Sequence, residues 1–98
     1  MLLYCHVQIS DAVAESLRRG RLCLTLGGDH SLAIGSIVGH SVVEPDIGVI
    51  WVDAHGDINP PLKSLSGNAH GMPLAFLMHE LRDQVPDDIP EFKWVKPW

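Results

Sequence analysis

Apolar and polar residues along the chain alternate between a helical rhythm and short unbroken runs. Val13 and Leu17 stand one helical turn apart after Ser10-Asp11, and Gly20 follows Arg18-Arg19. A capping hydroxyl, an acid in the first turn and a closing glycine predict a helix from about Ser10 to Gly20. Arg21 to Leu26 is then a mostly apolar run that stops at Gly27-Gly28, the pattern of a strand buried on both faces in a parallel sheet. Between Ser31 and Val43, the residues Leu32, Ile34, Ile37, Val38 and Val42 return at helical spacing, and Glu44-Pro45-Asp46 closes them off. Ile47 to Val52 is a second apolar run, hence a second buried strand. Strand, helix and strand in about thirty residues make a βαβ unit with a right-handed crossover. Residues 53–71 are rich in Gly, Pro, Asn and Ser and read as a loop long enough to be functional. Leu74, Phe76, Leu77 and Leu81 predict a third helix from Met72 to about Arg82, with Pro73 in its first turn. Pro86, Pro90 and Pro97 interrupt the C-terminal stretch, so residues 86–98 are expected to be an irregular tail.

Composition narrows the class. With 98 residues, 46% hydrophobic and 19% charged, the chain forms at most one small globular domain. A formal charge of −5 argues against binding nucleic acid or an anionic membrane. Arg18, Arg19 and Arg21 complement a helix C-terminus instead. Cys5 and Cys23 form no Cys-x-x-Cys, so a disulfide framework is not expected and a reducing compartment fits better. The apolar runs are far shorter than the ~20 residues that span a bilayer. The start of the chain lacks a basic n-region, and no arginine precedes Arg18. A cytoplasmic location is therefore expected, with a mitochondrial one also open. His6 and His79 are expected on the surface, His40 near a helix C-terminus, and Trp51 in the core.

The chemistry lies immediately after the two predicted strands: Asp29 and His30 after the first, Asp53, His55 and Asp57 after the second. Sites in open parallel sheets form beyond the carboxyl ends of strands. In extended backbone the D-x-H-x-D of Asp53, His55 and Asp57 projects three metal-competent side chains to one side. Carboxylates and imidazoles without thiolate suit Mn²⁺ or Fe²⁺ better than structural zinc. A bridging carboxylate can hold two ions that activate one water. The plainer alternative is that Asp53 and Asp57 cap turns while His55 satisfies a carbonyl. Gly27-Gly28-Asp29-His30-Ser31 lacks the lysine and glycine spacing of a phosphate loop, and Asp29 would oppose an anion there. A metal ligand or its support fits that position better. In the long loop, Ser66-Gly67-Asn68-Ala69-His70-Gly71 offers a hydroxyl, an amide and an imidazole for a charged ligand group or a proton. Equally, it is a surface turn.

Gly27-Gly28-Asp29-His30-Ser31, Asp53-Ala54-His55-Gly56-Asp57 and Ser66-Gly67-Asn68-Ala69-His70-Gly71-Met72-Pro73 together resemble the arginase family of the ureohydrolase superfamily. The first two motifs are general to the superfamily and the third is particular to arginases. The resemblance implies an α/β protein, with the chain as an incomplete part of a three-layer α/β/α fold built on a parallel sheet. Residues 1–98 would form a partial arginase-like domain. It further implies hydrolysis of L-arginine to L-ornithine and urea by a metal-bridging hydroxide at a binuclear Mn²⁺ site. By the same resemblance His30 and Asp57 hold one ion, His55 holds the other and Asp53 bridges both. His70 is the proton shuttle, and Asn59, Ser66 and Asn68 bind the amino-acid end of the substrate. Lys63-Ser64-Leu65 departs from the run of hydroxyl residues usual in the family. The family's downstream D-x-D segment, which supplies its remaining ligands, has no counterpart among these residues. The chain therefore reads as a truncated arginase, inactive alone, that forms a homo-oligomer or associates with full-length subunits. The alternatives are another ureohydrolase such as an agmatinase, against which Ser66 and Asn68 argue, and a non-catalytic metal-binding or interaction remnant.

Overall fold

A computed structural model describes residues 2–85. Two α-helices dominate it, α1 (Leu2–Arg18) and α2 (Leu32–Val43). Helix α1 begins eight residues before the start expected at Ser10. His6, Val13 and Ala14 are buried and Ile9, Ser10 and Leu17 half-buried, a continuous stripe at three- and four-residue spacing. Two of its members, His6 and Ser10, are polar, and that interruption hides the first half of the helix from an apolar-periodicity reading. The expected stop is present. Gly20 has φ +70°, its N–H bonds to Leu17 O (2.8 Å), and Arg21 N–H bonds to Ser16 O (3.2 Å). These are the two bonds of a Schellman cap, which needs a left-handed residue at its centre.

The two helices run parallel at close range. A Cβ on Gly35 would lie 2.7 Å from His6 O, and one on Gly39 would lie 2.5 Å from Ser10 O. The pairs 6 with 35 and 10 with 39 ascend together, which sets the parallel direction. Glycines one turn apart remove the side chains that would hold the backbones apart. Below α2, Ile34 (2% exposed) and Leu77 (4%) form a small core with Ile37, Val38, Leu74 and Phe76.

The parallel sheet expected from residues 21–26 and 47–52 is not formed: no strand occurs among the described residues. Both segments lie beside α2, where Cys23, Thr25 and Ile47 to Ile50 line one cleft with Ser36, Ile37 and His40. Ile47, Val49, Trp51 and Asp53 are half-buried, whereas Gly48, Ile50 and Val52 are exposed, the alternation of an extended chain covered on one side. The expectation of burial on both faces therefore fails. Leu22, Leu24, Leu26, Ile50 and Val52 are 81–100% exposed. The physical reason is that two short segments with one layer above them lack the further strands and second layer that make a parallel sheet stable. The expected parallel sheet of a three-layer α/β/α fold is accordingly not formed among the described residues.

The third expected helix is also absent as such. Leu74 O accepts from both Leu77 N–H (3.0 Å) and Met78 N–H (2.9 Å), so three- and four-residue spacings mix. A 3-10 segment, His79–Gln84, comes next. The loop 53–71 is largely irregular, with 3-10 turns only at Pro61–Lys63 and Ala69–Gly71. His6 is buried rather than on the surface, at 2% exposure, while His79 is exposed. His40 donates Nδ1–H to Ser36 O (3.1 Å). The expected tail 86–98, with Trp94 and Trp98, lies outside the described residues.

Candidate metal centre

The entry into α2 and the start of the long loop meet at three side chains. His30 leads into α2, with Ser31 at its N-cap. Gly27 comes so close to the Leu32 side chain that a Cβ there would collide with Cδ1. His30 Nδ1 lies 2.9 Å from Asp57 Oδ2 and 3.1 Å from Asp53 Oδ2. One donor atom from each of His30, Asp53 and Asp57 falls within 4.8 Å of the others. Such a group of oxygen and nitrogen donors can hold a divalent cation.

Burial of the carboxylates and exposure of the imidazoles shape the electrostatics. Asp53 and Asp57 are 11% and 7% exposed, the His30 and His55 side chains 53% and 80%. Asp57 sits at φ 48°, a left-handed position that aspartate tolerates, and its backbone O accepts Leu74 N–H (3.1 Å). That bond ties the metal-competent loop to the buried segment Met72–Leu77. The hydrogen bond to Asp57, and after it the charge of Asp53, raise the His30 pKa above the ordinary imidazole value. The backbone N–H of His55, which donates to Asp53 Oδ1 (2.7 Å), lowers the Asp53 pKa. The Asp53 shift keeps that carboxylate negatively charged, whereas the His30 shift favours imidazolium, whose proton a bound cation would displace.

His55 stands at the edge of this group. Its Nδ1 is 3.4 Å from Asp53 Oδ1, so the two oxygens of one carboxylate face two different imidazoles. Asp29, read from the sequence as a ligand or its support, stands apart from the cluster. Its Oδ1 accepts Ser31 N–H (2.9 Å), and hydrogen bonding from Ser31 keeps its pKa low. Its Oδ2 lies 3.9 Å from His70 Nδ1, bringing the third motif to the first. The loop residues Asn59, Ser66 and Asn68 are exposed. Asn59 N–H bonds to Gly71 O (3.2 Å), and Ser66 Oγ accepts Asn68 N–H (3.3 Å). The described contacts place none of these three on the cluster.

Two neighbours escaped the sequence reading. Trp51 presents its ring at 83° to His30 with centroids 6.4 Å apart, an edge-to-face arrangement. Its signal was available, since Trp51 and Asp53 share parity and hence one side of an extended segment. The Asp29–His70 approach had no such signal, because 41 positions separate the pair. Asp29, His30, Trp51 and Asp53 line one open cleft of about 400 Å³. Among the described residues no helix is long and apolar enough to cross a membrane.

Comparison with known proteins gives one family. Residues 2–89 match the arginase family model. The chain is 60% identical over 90 residues to human arginase-1, covering 92% of this chain and 28% of that protein. It is 54% identical over 90 residues to the protein named arginase-2, mitochondrial, from Mus musculus, covering 92% of this chain and 25% of that one. Among solved structures, a cold-adapted arginase from Glaciozyma antarctica superimposes with a TM-score of 0.80 at 43% identity, over 98% of this chain and 33% of that one. The arginase from Bacillus caldovelox superimposes with a TM-score of 0.74 at 48% identity, over 78% and 26%. The chain thus spans about a quarter to a third of the length of these proteins. The matched span contains the His30, Asp53 and Asp57 cluster and the loop around His70, and the chain belongs to the arginase family.

Proposed function

We propose that this chain carries part of the active site of a hydrolase that converts L-arginine and water to L-ornithine and urea, with Mn²⁺ as the cation. The observation that supports this best is the Asp53 carboxylate, with Oδ2 3.1 Å from His30 Nδ1 and Oδ1 3.4 Å from His55 Nδ1. One carboxylate set between two imidazoles is the disposition a bridging ligand needs. The donor set fits the ion, since oxygen and imidazole nitrogen without thiolate favour Mn²⁺ over structural zinc. His30 and Asp57 would hold one ion, His55 the other, and Asp53 both. When bound, the ions supply Lewis acidity that makes water nucleophilic near neutral pH.

The remaining roles fall to exposed groups. His70 transfers protons between the site and solvent, an imidazole being suited to accept and release one near pH 7, with Asp29 3.9 Å from its Nδ1. Asn59, Ser66 and Asn68 offer neutral donors to the α-carboxylate of arginine. The substrate is a small cation and zwitterion, and an acidic chain of formal charge −5 is no partner for nucleic acid. Its proposed compartment is the cytoplasm.

Purified on its own, the 98-residue chain binds Mn²⁺ weakly and releases little or no urea. Two carboxylates and two imidazoles leave coordination positions to water, and the side chains of His30 and His55 are more than half exposed. Calorimetric titration with Mn²⁺ tests the reading. Asp53→Asn should abolish measurable binding and His55→Ala should leave one weaker site, whereas binding unchanged in Asp53→Asn would overturn the assignment. Urea release at the rate of an ordinary arginase would overturn the expected inactivity.

A further inference from the structure

Asp29 divides its two carboxylate oxygens between two motifs. Oδ1 accepts Ser31 N–H (2.9 Å) at the start of α2, an Asx turn that holds the side chain in place. Oδ2 lies 3.9 Å from Nδ1 of His70. The backbone around His70 is held as well: Asn59 N–H bonds to Gly71 O (3.2 Å), Gly71 N–H to Asn68 O and Met72 N–H to Ala69 O (both 3.1 Å). The His70 side chain itself is 59% exposed, so no close packing sets the orientation of its ring. Among the described residues, Asp29 is the one side chain within ion-pair reach of that ring.

A neutral imidazole carries a proton on one nitrogen and a lone pair on the other, and the group facing one nitrogen decides which is which. An ionised carboxylate only accepts. With the lone pair on Nδ1 the ring would be repelled by Asp29 Oδ2; with the proton there it is attracted. At 3.9 Å the attraction is that of a charge for a polar N–H and not a closed hydrogen bond. We propose that Asp29 is a positioning residue for His70, which draws the ring proton to Nδ1 and leaves Nε2 as the atom that takes up and releases a proton. In that exchange the Nε2 lone pair receives a proton, giving imidazolium, and returns it to restore the same tautomer. Nδ1 keeps its proton throughout and Asp29 stays ionised. Because Asp29 is the chain neighbour of His30, the same carboxylate also fixes His70 beside the metal cluster.

The inference rests on the proposed role of His70 as proton carrier. Its test reads the ring alone in metal-free chain, so it can fail while Mn²⁺ binding and its loss in Asp53→Asn stand, and the reverse. The measurement is the tautomer of His70 in the purified, nitrogen-labelled 98-residue chain, from the ring nitrogen NMR shifts at alkaline pH, where imidazole is neutral. Nδ1 should give the shift of a protonated ring nitrogen and Nε2 that of an unprotonated one. Asp29→Asn should reverse the two. Its amide oxygen keeps the bond from Ser31 N–H, so the amide NH2, a donor, faces Nδ1 and selects the lone pair there. Asp29→Ser, which can cap α2 without a charge, should also shift the ring toward the Nε2–H form. His40, whose Nδ1–H donates to Ser36 O inside α2, should keep a protonated Nδ1 in both variants, which reports that the helix is intact. Nε2–H as the main form in the unsubstituted chain would overturn the proposal. So would an Nδ1–H form of His70 that persists in both variants.

Discussion

The Oδ2 atom of Asp57 lies 2.9 Å from Nδ1 of His30, across 27 positions of chain, with the carboxylate 7% exposed and the imidazole 53% exposed. A buried acceptor thus grips an exposed ring from one side. The bond favours imidazolium, so the His30 pKa lies above its ordinary 6.5. Linkage gives the sign. A group whose pKa is higher folded than unfolded contributes stability that is fully present below 6.5 and lost as pH rises through the folded value. In metal-free chain, NMR titration of the His30 ring should give a midpoint above 6.5. Asp57→Asn should bring it down, and a midpoint unaffected by that substitution would contradict the pairing.

Cation binding should replace that proton. His30, Asp53 and Asp57 converge within 4.8 Å, and a ligand that binds only the folded chain stabilises it by mass action. At a hundredfold excess over the dissociation constant the gain is about 2.7 kcal/mol. Urea unfolding at pH 7.5 should shift to higher midpoint with Mn²⁺ and return with a chelator. Asp57→Asn should greatly reduce the shift while retaining the fold, because asparagine tolerates the left-handed backbone at φ 48° and the bond that anchors Leu74 uses the backbone oxygen of residue 57.

Close helix packing makes a sharper mechanical prediction. An alanine at Gly39 would bring its Cβ within 2.5 Å of Ser10 O and 2.8 Å of Val13 Cβ. Helix propensity favours alanine over glycine by about 1 kcal/mol, but the contact is with backbone, so α1 has to move. Gly39→Ala should cost about 2 kcal/mol net by denaturant unfolding. Gly48→Ala, where a Cβ meets nothing within 4 Å, should have a much smaller effect.

His6 gives a pH dependence of opposite sign to His30. It is 2% exposed, and neither ring nitrogen has a hydrogen-bond partner. Burial lowers its pKa, outweighing the attraction of Asp29. The unfolded chain therefore binds more protons than the folded one, and stability falls as pH drops through 6.5 toward the folded value. His6→Leu should stabilise by about 1–2 kcal/mol near pH 7 by relieving the unsatisfied imidazole. It should also flatten the decline below pH 6.5 measured by thermal unfolding.

Much of the candidate site was legible without coordinates because its members lie close together in sequence. Asp53, His55 and Asp57 come after one run, and Asp29 and His30 after another. The span of α2 and the stop at Gly20 were legible for the same reason, since caps and periodicity are local. What failed was not local. The N-terminal half of α1 depends on Gly35 and Gly39 admitting a polar stripe that includes His6 and Ser10. The helix expected over 72–82 yields to an anchoring bond from Asp57 and to mixed turns.

The amino-acid sequence by itself determined the family, the donor types and the order in which they appear, because these depend on residue identity and spacing. Tertiary structure alone decided that one oxygen of Asp53 faces His30 and the other His55, that Asp29 turns to Ser31 and His70, and that Leu22, Leu24, Leu26, Ile50 and Val52 stand bare. An apolar run records only a preference for burial. Whether a strand forms depends on backbone partners and a covering layer, and those come from other parts of a fold.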